Sequence, residues 1–152
     1  MSGDELRLAN AVASEAFGAR LADIARPGDV IALSGQLGAG KTSIARGLLA
    51  ALGLMEEAPS PSFAIVQPYA PPETAFPVLH VDLYRIDDPD EVEELGLDDA
   101  RHDSLLIVEW PERLPESVWA DALWLTLTIE PDGARGLTAK VPAAWKDRWP
   151  LT

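Results

Sequence analysis

Eight consecutive residues, Gly35-Gln36-Leu37-Gly38-Ala39-Gly40-Lys41-Thr42, satisfy the spacing G-x-x-x-x-G-K-[ST], the pattern of a loop that wraps phosphate. Glycines at 35, 38 and 40 let the backbone turn successive N–H groups inward around an anion. A helix starting at Gly40 adds its positive end to the same spot. Lys41 then reaches the β- and γ-phosphates, and the Thr42 hydroxyl faces Mg²⁺. Gly35, Gly38, Ala39, Gly40, Lys41, Thr42 and Ser43 are the candidate nucleotide contacts of this stretch. Two acids complete the inventory: Asp82 follows the apolar run Val78-Leu79-His80-Val81, and Glu109 follows Leu105-Leu106-Ile107-Val108. A carboxylate ending a buried strand is the Walker B arrangement, which holds Mg²⁺ directly or through water. From the strands alone the two acids compete for that role.

The elements that must position these groups are legible around them. Asp29 to Leu33 reads as a buried strand before the loop, and Ser43 to Leu52 as the helix after it, stopped by Gly53. Strand, loop and helix in that order are the context that separates a phosphate loop from a chance glycine-rich turn. Upstream, Ala11 to Ile24 predicts an amphipathic helix ended by Arg26-Pro27-Gly28. Ser14 on it is either a solvated hydroxyl or a group near the nucleotide. Downstream, Pro59 and Pro61 hold Glu56 to Phe63 extended, as a rigid connector or as a switch whose Ser60 or Ser62 hydroxyl senses phosphate or metal. Strands are expected over Phe63 to Tyr69, Phe76 to Leu83 and Leu105 to Glu109, with a helix start at Asp88-Pro89-Asp90-Glu91. Leu123 to Ile129 and Leu137 to Val141 alternate as an antiparallel hairpin that extends or covers the sheet edge, with Arg135 near its turn. Trp145 and Trp149 are expected to pack the short tail. The fold class is α/β, a P-loop NTPase-like three-layer fold with a central parallel sheet and added antiparallel strands, as one domain over 1–152.

Composition narrows the classes. A chain of 152 residues without cysteine excludes disulfides, thiolate metal sites and Cys nucleophiles. With 25 acidic and 12 basic residues the formal charge is -13, which argues against gripping nucleic acid unaided. The first residues carry no basic segment followed by an apolar one, and no apolar run approaches the roughly 18 residues of a membrane span. A cytoplasmic chain without membrane association is expected.

Four blocks, Leu37-Gly38-Ala39-Gly40-Lys41-Thr42, Ser60-Pro61-Ser62-Phe63, His80-Val81-Asp82-Leu83-Tyr84-Arg85 and Glu109-Trp110-Pro111-Glu112, together resemble the bacterial TsaE (YjeE) family. That family comprises the P-loop ATPases of threonylcarbamoyladenosine synthesis on tRNA, and the resemblance runs from about Ser14 to Arg135. It implies that Thr42 and Glu109 hold Mg²⁺ and that Asp82, together with Lys41, serves hydrolysis. It also raises Ser62 and Arg135 as ATP contacts, beside the Ser14 already read from its helix. Ser62 stands where the family usually has threonine, keeping the hydroxyl but losing the stiffening methyl, and Gln36 stands where aspartate is common. The implied partners are TsaD and TsaB, with tRNA engaged through them. Trp110 either packs in the ordinary way, or shields the site or meets a partner, and Arg85 is either a surface ion pair or a phosphate or partner contact. Without the resemblance, a small-molecule or nucleotide kinase, a GTPase switch and a nucleotide-gated interaction module all stay open. The kinase lacks a basic lid after the central strands, and the GTPase lacks an Asn-Lys-x-Asp guanine motif.

Overall fold

The computed structural model describes residues 3–36, 38–55, 66–84, 86 and 96–149. Leu37, Ser60, Ser62, Phe63, Arg85 and the helix start at 88–91 lie outside the described residues. Seven strands form one sheet: β1 (Gly3–Leu8), β2 (Val30–Gly35), β3 (Val66–Tyr69), β4 (Val78–Asp82), β5 (Leu105–Glu109), β6 (Leu123–Ile129) and β7 (Arg135–Lys140), in the order β1-β7-β6-β2-β5-β4-β3. The centre is parallel, with β2 between β5 and β6 and with β4 beside β5. β3, β7 and β1 are added antiparallel.

Coverage on both faces explains why the central strands are uniformly apolar. Val30, Ile31, Ala32 and Leu33 are all fully buried. Their side chains divide by parity. Ile31, Leu33, Leu105, Ile107 and Leu125 join one core with α1 (Ala11–Ala22) and α2 (Lys41–Ala51), while Val30, Ala32, Leu106 and Val108 join a second core with Leu114, Trp119 and Leu97 of α3 (Leu97–Ala100). The Asn10 side chain caps α1 by accepting from the Ala13 N–H at 2.9 Å. Where α1 meets α2, a Cβ on Gly18 would come within 2.0 Å of the Ile44 carbonyl oxygen, and one on Gly47 within 1.9 Å of that of Glu15. The two helices therefore touch backbone to backbone, holding the phosphate-loop helix against its neighbour.

The hairpin forms and extends the sheet, as expected: β6 lies parallel beside β2, and β1 lies at the edge beyond β7. Arg135 is accordingly the first residue of a strand. β1 was not expected, because Gly-Asp-Glu-Leu-Arg-Leu is charged and, among its described side chains, buries only Leu8 well; its pairing with β7 supplies what its sequence does not. The tail behaves as expected. Trp145 is fully buried, and the Arg148 guanidinium lies over its ring while donating to Asp29 at 2.6 and 3.0 Å. Among the described residues no helix is long and apolar enough to cross a membrane.

Candidate functional site

β2 delivers the glycine-rich loop, and α2 leaves it with Gly40 as its first flanking residue. Gly35, Gly38 and Gly40 have φ of 142°, 81° and 103°, conformations that a side chain disfavours. Gly35 is also short of space, since a Cβ there would lie 2.5 Å from the Leu127 carbonyl oxygen of β6. The loop thus has the backbone expected of it.

Strand order sets the two acids at different distances from the loop. β5 is the immediate neighbour of β2, with Glu109 in register with Leu33, whereas Asp82 ends β4, one strand further out, in register with Glu109. Thr42 Oγ1 lies 3.1 Å from Glu109 Oε1 and 3.3 Å from Oε2. Two hard oxygens about 3 Å apart match the edge of an octahedron with Mg–O bonds of about 2.1 Å. The donor set of one hydroxyl and one carboxylate suits a Mg²⁺ ion that takes its remaining ligands from phosphate and water.

Asp82 is 8% exposed and its Oδ1 accepts from the Tyr84 N–H at 2.9 Å. Burial pushes its carboxyl above the ordinary value, and the negative charge of Glu109 adds to this against the Tyr84 N–H. Lys41 is 5% exposed and donates to the carbonyl oxygens of Gly35 and, at 3.1 Å, Gln36. Burial lowers its pKa, while the carboxylates of Glu109, Glu112 and Asp82 act to raise it. Lys41 is thus a desolvated cation whose own loop carbonyls stand where an anion would compete for it.

Trp110 follows Glu109 with φ 61° and ψ 47°, the one non-glycine residue of positive φ among the described residues. That turn lays its ring over Lys41, with Nζ 3.9 Å from the ring centre. Tyr84 packs against the ring tilted by 49°, with centroids 4.8 Å apart, and the Arg113 guanidinium lies 5.3 Å from the Tyr84 ring centre. The ring thus covers Lys41 and also packs against the second core, so packing and shielding both have geometry behind them. The turn is tied back to β2 by Ser34 Oγ, which donates to Glu112 Oε2 at 2.7 Å.

Ser14 is 1% exposed, so it is not a solvated hydroxyl, and its Oγ faces Gly40. It lines a pocket of about 330 Å³ beside the loop together with Asn10, Gly40, Ser43 and Arg135. Arg135 reaches the loop itself, donating from Nε to the Ala39 carbonyl at 3.1 Å and from Nη2 to that of Gly38 at 3.2 Å. Its guanidinium braces the crown of the loop and borders the pocket at once.

The comparisons decide the family. Residues 8–137 match the family described as Threonylcarbamoyl adenosine biosynthesis protein TsaE. The chain belongs to the TsaE family. The tRNA threonylcarbamoyladenosine biosynthesis protein TsaE of Streptomyces coelicolor is 42% identical over 124 residues, covering 81% of each chain. Its Bacillus subtilis namesake is 35% identical over 133 residues, covering 87% of this chain and 82% of that one. The crystal structure of Bacillus subtilis YdiB superposes with a TM-score of 0.73 at 30% identity, over 91% of this chain and 84% of that chain. TsaE proteins take part in threonylcarbamoyladenosine biosynthesis on tRNA, and this chain has the P-loop NTPase-like α/β fold of its structural neighbour.

Sequence reasoning found Lys41, Thr42, Asp82 and Glu109, and the fold brings them to one edge of the sheet. It missed His80, whose Nε2 lies 2.6 Å from Glu109 Oε2. The available signal was parity: His80 and Asp82 are two apart on β4 and so share the face that α2 covers. It also missed the Ser34–Glu112 tie, because nothing local links two residues on different elements.

Proposed function

We propose that this chain is a Mg²⁺-dependent ATPase whose hydrolysis drives turnover of a TsaD–TsaB complex during t6A modification of the adenosine next to the tRNA anticodon. The observation carrying the proposal is the apposition of Thr42 Oγ1 and Glu109 Oε1, 3.1 Å apart at the mouth of a glycine loop, in a chain of the TsaE family. The family name supports the pathway. The ATPase activity and the partners are our reading.

In this reading the loop N–H groups and the start of α2 cradle the phosphates, and Lys41 exchanges its bonds to Gly35 and Gln36 for phosphate oxygens. Thr42 and Glu109 hold the cation, which when bound would neutralise charge developing between the β- and γ-phosphates. Asp82, kept partly dry and fixed by the Tyr84 N–H, orients the attacking water. Ser14, Ser43 and Arg135 border the pocket that would take the remainder of the nucleotide. Ser62 is proposed as a further contact on its hydroxyl chemistry alone. The acidic balance of the chain suits a subunit that leaves tRNA to its partners.

With no arginine finger assigned, hydrolysis by the isolated chain should be slow, since such a finger is worth roughly 10³ to 10⁵ in rate. The test is phosphate release and tRNA modification over several turnovers, with the chain present or absent and with or without purified TsaD and TsaB. Stimulated release and multiple turnovers only in the full mixture are expected. Equal release with and without the partners would overturn the coupling, and transfer of phosphate to a small acceptor faster than hydrolysis would replace it with a kinase.

A further inference from the structure

His80 is the polar side chain least explained by the roles assigned above. It is fully buried on β4 and Glu109 is 3% exposed, so the pair is shut away from water. Its Nε2 lies 2.6 Å from Glu109 Oε2. An ionised carboxylate can only accept, so the imidazole donates through Nε2–H. Nδ1 has no hydrogen-bond partner among the described residues, so Nε2 makes the ring's one polar contact there.

Such a pair is costly. Neighbouring positions on this face, Val78 on the same strand and Ile107 on the next, are filled by apolar side chains. An apolar residue at 80 would pack there without burying a polar group, and buried polar pairs are often no more stabilising than well-packed apolar ones. Stability alone therefore does not account for a histidine.

Its effect on Glu109 does. A glutamate has three side-chain torsions, and the last is broad. Thr42 Oγ1 touches both carboxylate oxygens and leaves that last torsion loosely defined. A second donor from the opposite strand, on Oε2 only, fixes the carboxylate plane and leaves Oε1, the oxygen nearer Thr42, as the one to meet a cation. Carboxylate ligands are commonly oriented by such outer hydrogen bonds, whose loss costs about 10- to 100-fold in metal affinity.

We propose that His80 is a positioning residue: through Nε2–H it holds the Glu109 carboxylate so that Oε1 faces the cation shared with Thr42. The inference rests on the reading of Thr42 and Glu109 as the cation site.

The test measures Mn²⁺ binding by electron paramagnetic resonance, in the presence of a non-hydrolysable ATP analogue, to the wild type, His80→Met and His80→Gln. Glutamine can present its amide N–H near the place of Nε2, whereas methionine fills the volume and donates nothing. The wild type is expected to bind Mn²⁺, His80→Met to bind it about tenfold or more weakly, and His80→Gln to stay within about threefold of the wild type. Binding of the analogue in excess chelator should be the same for all three, a readout that collapse of the site would not spare. In a Glu109→Gln background His80→Met should cost nothing further. If His80→Met does not fold, His80→Asn, whose shorter amide falls short of the carboxylate, takes its place with the same expected loss. Wild-type Mn²⁺ affinity in the non-donating variant, or a glutamine variant as weak as it, overturns the role of His80. A wild type that binds no Mn²⁺ with the analogue overturns the cation site itself, and the inference falls with it.

Discussion

The Lys41 ammonium lies 3.9 Å from the centre of the Trp110 ring while also donating to the Gly35 and Gln36 carbonyls, so the lysine of the glycine-rich loop is fully engaged by its own chain. A cation over a partly desolvated indole is held by about 1 to 2 kcal/mol, and phosphate must compete with it. Because Trp110 holds a left-handed backbone that costs a side-chain-bearing residue roughly 1 to 2 kcal/mol, its placement over Lys41 is imposed by the turn. Strain of this kind collects at working sites.

Nucleotide binding should therefore change the environment of Trp110. Titrating ATP is expected to alter the intrinsic tryptophan emission, and Trp110→Phe is expected to remove the response although four other tryptophans remain. An undiminished response in that variant would assign the signal to another tryptophan and refute the displacement of Lys41.

The site roles separate by substitution. Lys41→Ala should weaken ATP binding about 10- to 100-fold, the scale of losing a charged hydrogen bond. Thr42→Ala and Glu109→Gln should leave binding in chelator intact and remove the gain from Mg²⁺. Asp82→Asn should keep ATP affinity within about threefold and lower the rate by about 10² or more. Isothermal titration with and without Mg²⁺, paired with single-turnover hydrolysis, reads all four. Loss of metal dependence in Asp82→Asn but not in Glu109→Gln would reverse the assignment.

Asp82 makes the nucleotide-free protein sensitive to pH. Its carboxyl is raised by burial first and by Glu109 next, so the folded state binds the proton more tightly than the unfolded state. The sign follows: stability is lost as pH climbs from the unfolded value, near 3.9, through the raised folded one, and neutral solution retains the full cost. Asp82→Asn keeps the acceptor for the Tyr84 N–H and removes the charge. It should raise the melting temperature at pH 7 by about 3 °C for each kcal/mol relieved, with the gain shrinking as the solution is acidified. A variant no more stable than the wild type at pH 7 would contradict this.

The α1–α2 contact should tolerate no added carbon. A Cβ on Gly47 would meet the Glu15 carbonyl oxygen at 1.9 Å, backbone against backbone, with no side chain able to give way. Gly47→Ala is expected to cost about 2 to 3 kcal/mol, read as a fall in the melting temperature of about 8 °C. Because α2 carries Thr42 and Ser43, ATP affinity should fall with it. A variant as stable as the wild type would show that the helices can separate freely.

Much of the site was readable in one dimension because its parts are local. A phosphate loop needs glycine conformations, a cation and a hydroxyl within eight consecutive residues, and the strand before it and the helix after it bear their own periodicities. The acids at 82 and 109 were visible because each closes an apolar run. Arg135 was visible only as a residue near a turn, and Ser14 only as one hydroxyl on a helix, since neither carries a local mark of what it touches. β1 was missed for the same reason, its strand character coming from β7.

Sequence alone determined an inventory of groups: backbone N–H groups, an ammonium, several hydroxyls and two strand-end carboxylates. Tertiary structure decided which of them meet. Strand order, which local periodicity does not encode, puts β5 rather than β4 against β2, and so gives Glu109 to Thr42 and leaves Asp82 one strand away. The same order buries His80 against Glu109 and carries Arg135 onto the crown of the loop. These contacts join residues far apart in the chain, and only the assembled sheet brings them within hydrogen-bonding distance.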